Sequence, residues 1–176
     1  IDYTVLFHNT IPGSNGNGGY LAGTNEIFFT DSFDEKLEYV PGSLTITCYD
    51  PWNSANWLNK YKYNGDVDGN SMNISATDFL FDSANTASGW GVDWLSTLSN
   101  YLIYCNNMGG GDHIFTYKLK LKDEYLFSTE ENMYELENTA EIKWDTDGTS
   151  GPATDSVEYK TGLLEKVVIQ ENNKLD

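Results

Sequence analysis

Residues able to do chemistry are few in this sequence and widely spaced. Histidine occurs only at His8 and His113, with no nucleophile motif or cofactor fingerprint beside either. Carboxylate pairs such as Asp31 with Asp34, or Glu130 with Glu131, arise because the chain is acidic, and no spacing sets a general acid apart from a general base. The reading is of a protein that is not an enzyme. The loop Asn64-Gly65-Asp66-Val67-Asp68-Gly69-Asn70-Ser71 carries side-chain oxygens at alternate positions, as calcium loops require. It departs from an EF-hand because its glycines are misplaced and its twelfth position is Thr77, not Glu. Asp66, Asp68 and Asn70 are thus calcium candidates only with added oxygens, from Asp78 or Asp82, and a solvated acidic turn is the alternative.

Cys48 is in phase with Leu44 and Ile46, whereas Cys105 ends the apolar run Tyr101-Leu102-Ile103-Tyr104. A disulfide between Cys48 and Cys105 would staple the ends of the segment between them, and two buried thiols are the other reading. With no CxxC motif and no third ligand, sulfur-based metal binding is not expected. That intervening segment is dense in rings: Trp52, Trp57, Tyr61, Tyr63, Trp90, Trp94, Tyr101 and Tyr104. They stand in the company of Asn53, Asn56, Asn59, Asn100, Asn106 and Asn107. Ring faces beside directional amides suit sugar rings, which stack their C–H faces and have their hydroxyls read by polar groups. Filling a second small core under a long loop is the competing use of the same rings.

The elements that must position these groups read as strands. In Phe115-Thr116-Tyr117-Lys118-Leu119-Lys120-Leu121-Lys122 every odd position is apolar or aromatic and every even one is Thr or Lys, the mark of a strand with one wet face. The same alternation occurs at 44–49 and 140–145, with further strands at 3–8 and 27–31 and a weaker one around Val157 and Tyr159. Gly, Asn, Asp, Ser and Pro clusters separate them, among them Pro41-Gly42-Ser43. The pattern predicts an all-β antiparallel sandwich in a single domain of 176 residues. Residues 50–112 break it and read as a long aromatic-rich insert. Within the insert Val92, Leu95, Leu98, Tyr101 and Leu102 follow three-and-four spacing, a short helix. Residues 163–176 read as a lead into a next domain, and both ends as cut from a longer chain.

Charge narrows the partners. Ten Lys+Arg against 27 Asp+Glu leave a formal −17 and a pI near 4.2, so phosphate backbones and anionic headgroups are repelled and nucleic acid is not an expected partner. No run of 18 apolar residues occurs, so membrane insertion by a helix is not expected either.

Three blocks carry a resemblance. Phe28-Phe29-Thr30-Asp31-Ser32-Phe33 through Tyr39-Val40-Pro41-Gly42-Ser43-Leu44-Thr45-Ile46 resembles the "tDtLpegLtyvpgSltv" signature of immunoglobulin-like repeats in Gram-positive surface proteins. Tyr3-Thr4-Val5 with His8-Asn9-Thr10-Ile11-Pro12 resembles the opening "YtvtvtNtiP", and Glu137-Asn138-Thr139-Ala140-Glu141-Ile142 the closing "NTAtv". Together they are similar to the isopeptide-forming domains of fimbrial shaft proteins and adhesins and to the related stalk repeats. The resemblance covers residues 1–46 and 113–161 and implies an immunoglobulin-like sandwich. It further implies a lysine joined through its amine to Asn138, assisted by a buried acid at Asp31. A desolvated amine becomes nucleophilic, and a protonated carboxyl polarises the amide. In the family that lysine precedes the block matched at Tyr3, and this sequence starts at Ile1. No isopeptide is therefore expected within residues 1–176, and Lys36, Lys118 and Lys143 are expected to face outward.

The resulting expectation is a non-catalytic extracellular module of a cell-wall-anchored adhesin or pilin, acting as stalk or ligand display. Its partners would be a glycan or a host or cell-surface protein, and neighbouring domains of the same chain. A carbohydrate-binding module using the aromatic insert is the alternative. No cofactor is expected beyond calcium at the acidic loop.

Overall fold

Period-two alternation becomes strand after strand in the computed structural model, which describes residues 1–8, 26–50, 53–82, 98–99, 102, 112–128, 132–144, 148–149, 151–160 and 162–163. The strands are β1 (Asp2–His8), β2 (Ile27–Phe33), β3 (Leu37–Tyr39), β4 (Thr45–Asp50), β5 (Asn53–Lys62), β6 (Ser71–Ser75), β7 (Leu80–Phe81), β8 (Asp112–Leu121), β9 (Phe127–Ser128), β10 (Met133–Trp144), β11 (Gly148–Thr149), β12 (Ala153–Lys160) and β13 (Gly162–Leu163). One sheet runs β1-β8-β4-β5-β7, with β3 also paired to β8; a second runs β11-β10-β2-β6, with β12 also paired to β10. Every pairing in these two sheets is antiparallel. Among the described residues, only the two-residue contact of β9 with β13 is parallel.

The sheets face each other across aromatic rings. Phe29 of β2 stacks on Phe115 of β8 at 4.6 Å between centroids and 9° between planes, and Phe79 meets Phe115 edge-on at 6.3 Å. Phe29, Phe79 and Phe115 are buried, as are Leu37, Leu44, Ile46, Leu119 and Leu136, so the inward positions of both sheets share one core. Between β3 and β4 the chain turns at Val40-Pro41-Gly42-Ser43. The Ser43 N–H donates to the Val40 carbonyl at 3.1 Å and Gly42 has φ 75°, the arrangement in which proline precedes a residue that must be left-handed.

The insert expected over 50–112 is corrected for its first half. Residues 53–82 are not an appendage: β5 pairs with β4 and β7 with β5 in the first sheet, and β6 pairs with β2 in the second. Alternation failed to show β5 because its inward positions mix Asn59 with Tyr61, both fully buried, so no clean apolar phase exists to read. Of the expected helix, Leu98, Ser99 and Leu102 are described and helical. Leu98 and Leu102, one helical turn apart, are buried.

Candidate functional site

Asp31 and Asn138 owe their position to phase. On β2 the inward residues are Ile27, Phe29, Asp31 and Phe33, and on β10 they are Leu136, Asn138, Ala140 and Ile142. An acid and an amide therefore sit in rows that otherwise bury hydrocarbon. Ala140 is the direct partner of Asp31 and Asn138 that of Phe33, which places Asp31 and Asn138 diagonally across one strand pair. From the facing sheet Tyr117 of β8 brings its hydroxyl to 2.7 Å from the Asn138 amide. Tyr3 of β1 stacks on Tyr117 at 5.5 Å.

Two hydrogen-bond patterns fit these atoms. With Asp31 ionised, the Asn138 Nδ2 donates to the Asp31 carboxylate, and the Tyr117 hydroxyl donates to Asn138 Oδ1. With Asp31 protonated, the amide reverses: the carboxyl O–H donates to Asn138 Oδ1, and Nδ2 donates to Tyr117 Oη. Burial lifts Asp31 to about 6, against a downward pull from the Tyr117 and Asn138 hydrogen bonds, so the ionised pattern is the one held at pH 7 and the protonated one takes over in mild acid. Burial and the neighbouring Asp31 raise the Tyr117 phenol, so it remains a neutral hydroxyl able to donate in one pattern and accept in the other. Burial, Asp31 and Asp155 raise Tyr3 in the same way.

Beside this cluster the edges of β1 and β12 leave a cleft of about 230 Å³, whose lining includes Tyr3, Val5, Asn138, Ala140, Asp155 and Val157. The Tyr3 hydroxyl is buried without a hydrogen-bond partner. Chemically, the cluster holds an amide carbonyl beside a carboxyl that carries its proton easily, which is the electrophilic half of an amide exchange. The nucleophilic half is not supplied by the described lysines, none of which is buried. Lys118 pairs loosely with Asp2 at 3.9 Å on the exterior, Lys143 is exposed, and Lys36 is half-buried, 3.3 Å from Asp34 and 5.3 Å from the Tyr134 ring. Asn138 accordingly bridges the sheets by hydrogen bonds.

Among the described residues, the other candidates are not brought together. Tyr61 is corrected: it is fully buried, packed edge-on to Phe81 at 5.8 Å, because its strand is integral to the sheet. Tyr63 lies against Phe79 at 5.8 Å and donates its hydroxyl to the Asp66 carbonyl at 3.0 Å. Trp57 is in β5 opposite Tyr49, its side chain outside the described residues. Trp52, Trp90, Trp94, Tyr101, Tyr104 and Cys105 also lie outside them, and with Cys105 the disulfide question. Asp66, Asp68 and Asn70 are exposed, and the Asn70 amide donates to the Phe33 carbonyl at 2.9 Å, pinning the end of β2. No group of three His, Cys, Asp or Glu side chains gathers around a metal position among the described residues.

Two residues of the cluster carried no advance signal. Tyr3 and Tyr117 read as core aromatics from their phase, and nothing in a period of two distinguishes a phenol that will meet an amide from a phenyl ring. His113 is the other surprise, fully buried on β8 and tilted 31° against Phe7 at 6.0 Å. Burial lowers it to about 3, with a small opposing pull from Asp112. Its folded pKa lies below the ordinary 6.5, so between those values the unfolded chain binds a proton that the folded one refuses. Stability should fall as pH drops from 6.5 toward 3, with a slope approaching about 1.4 kcal/mol per pH unit from this group. His113→Phe is expected to flatten that limb in urea titrations at pH 4 to 7. An unchanged slope would mean that the ring is not neutral in the fold.

Comparison of the chain with protein-family models, with curated proteins and with solved structures finds no match in any of the three.

Proposed function

We propose that this chain is a non-catalytic, immunoglobulin-like module of a bacterial cell-surface adhesin or pilin, extracellular and cell-wall anchored, serving as a stalk or as a display for a binding surface. The observation that supports it best is the buried cluster of Asp31, Asn138 and Tyr117. The acid and the amide stand on adjacent, paired strands, and they are the two residues that the resemblance to isopeptide-forming repeats singles out. Its partners on this reading are neighbouring domains of the same chain and a host or cell-surface protein or glycan.

Two measurements test it. Intact mass is expected to equal the sequence mass. A loss of about 17 Da, the ammonia released when a lysine amine replaces the Asn138 amide nitrogen, would contradict the expectation if it vanished in Asn138→Ala. On a glycan array, any binding is expected to survive Trp52→Ala and Trp57→Ala. Binding abolished by Trp52→Ala and Trp57→Ala would instead favour a dedicated carbohydrate-binding module.

A further inference from the structure

The cleft beside Asn138 lies between two sheet edges. β1 ends the first sheet, and its first residue fixes which of its backbone groups are used. Ile1 and Leu119 exchange both bonds, the Ile1 amine donating to the Leu119 carbonyl at 2.8 Å and the Leu119 N–H to the Ile1 carbonyl at 3.0 Å. In an antiparallel ladder such pairs alternate with pairs that exchange none. In the register of β1 with β8, Tyr3, Val5 and Phe7 therefore bond to β8. The N–H and C=O groups of Asp2, Thr4 and Leu6 point the other way, where no described strand pairs with them. Across the cleft, β12 pairs Asp155 with Asn138 and Ala153 with Ala140, so Asp155 and Ala153 share the inward face of the second sheet. Both are nevertheless exposed, because among the described residues no strand of the first sheet lies over them. Tyr3, part of the same lining, is 7% exposed, and its hydroxyl has no hydrogen-bond partner.

We infer that the free edge of β1 binds an extended, arginine-bearing segment of a basic partner protein as an added strand, which closes the cleft over β12. An open edge is a template for such pairing, with main-chain bonds supplying affinity and alternate side chains supplying specificity. The side chains that the added strand turns inward meet Val5 and Val157, which call for an apolar residue, and Tyr3 and Asp155, which call for a donor. Asp155 Oδ1 already accepts the Ser156 N–H at 2.8 Å, leaving Oδ2 for the newcomer. A guanidinium carries five N–H donors in a fixed fork, suited to a hydroxyl within a cleft and a carboxylate at its mouth. Charge selects the partner. Two copies of this chain, each of formal charge −17 and each with Asp2 and Asp155 at this edge, repel one another, whereas a basic strand is attracted. The association is noncovalent, uses only this edge and its cleft, and does not rest on the adhesin reading.

The test uses the full chain and a blocked peptide as long as β1, seven residues, which alternates threonine with valine and carries arginine in place of the central valine. It reads the same in both directions, so it fits a parallel or an antiparallel approach. Fluorescence anisotropy of the labelled peptide is expected to show saturable binding. Hydrogen exchange at the Asp2, Thr4 and Leu6 amides is expected to slow by about 10-fold or more when the peptide is bound. Thr4→Pro deletes one outward N–H and spares the bonds to β8, a position where edge strands accept proline, and it should abolish binding. Tyr3→Phe keeps its ring on Tyr117 and should weaken binding about 10-fold, the scale of one hydrogen bond to a charged group. Because the hydroxyl it removes is unpartnered, Tyr3→Phe folds like the parent and carries the test if Thr4→Pro does not fold. A peptide with glutamate at its centre is expected not to bind. No binding of the arginine peptide, equal binding of the glutamate one, unchanged affinity in Tyr3→Phe or in folded Thr4→Pro, or protection on a different strand would each overturn the inference. So would a dimer of the chain alone in sedimentation that Thr4→Pro dissociates, because the edge would then belong to a second copy.

Discussion

Asp31→Asn is expected to stabilise the protein at pH 7. A folded pKa near 6 against the ordinary 3.8 means that the folded state holds the Asp31 proton more tightly than the unfolded chain does. That contribution is fully present below 3.8 and is lost as pH rises through 6, leaving at pH 7 a deficit on the order of 3 kcal/mol. An asparagine at this position stays neutral and keeps the shape. It also offers both a donor and an acceptor to Asn138 and Tyr117, so neither is orphaned. The expected gain is about 1–3 kcal/mol at pH 7, seen as a shift of the urea midpoint, and it should shrink toward zero near pH 4. Loss of stability at pH 7 would show that the carboxylate has a cationic partner in the folded protein. A lysine amine entering the cleft between β1 and β12 would be such a partner, and the result would then strengthen the isopeptide-like reading.

Phe115→Ala should be the most damaging single truncation in the core. The ring contacts Phe29 face to face at 4.6 Å and Phe79 edge-on at 6.3 Å, so it joins the two sheets and is fully buried. Removing it leaves a void that rigid neighbouring rings cannot close, at a cost of about 3–5 kcal/mol. Phe115→Leu, which retains most of the volume, should cost less than half of that. Equal effects of the two variants, measured by chemical denaturation at pH 7, would mean that the aromatic stacking and not the volume carries the contact.

What the sequence revealed and what it concealed divide along one physical line. Where one face of a strand is wet and the other dry, alternation is legible: β8 was readable from Phe115, Tyr117, Leu119 and Leu121 against Thr116, Lys118 and Lys120. Asp31 and Asn138 are pointed out by the resemblance and not by alternation, and both are buried. β5 was hidden because Asn59 takes an inward position, and β6 because a five-residue strand between polar loops offers only Met72 and Ile74 as a signal. The meeting of Tyr117 with Asn138 was illegible for another reason. It depends on how one sheet lies over the other, and no local pattern encodes that offset. The tryptophans at 52, 90 and 94 were singled out by density alone, and density does not say whether a ring faces solvent or core.

The order of strands in the sheets also sets a timetable. β1 finds its partner in β8, pairing Thr4 with Thr116, and β2 finds its partner in β10, pairing Thr30 with Glu141. Neither sheet can close from its own first half. Synthesis at about 5–20 residues per second places roughly 5–20 s between the emergence of β1 and that of β8. During that interval β1 is an unpaired apolar edge, with Ile1 and Leu6 remaining exposed even in the finished fold. Edges of this kind invite pairing between chains. Mutual repulsion between chains of formal charge −17 opposes that pairing while the late strands are still being made.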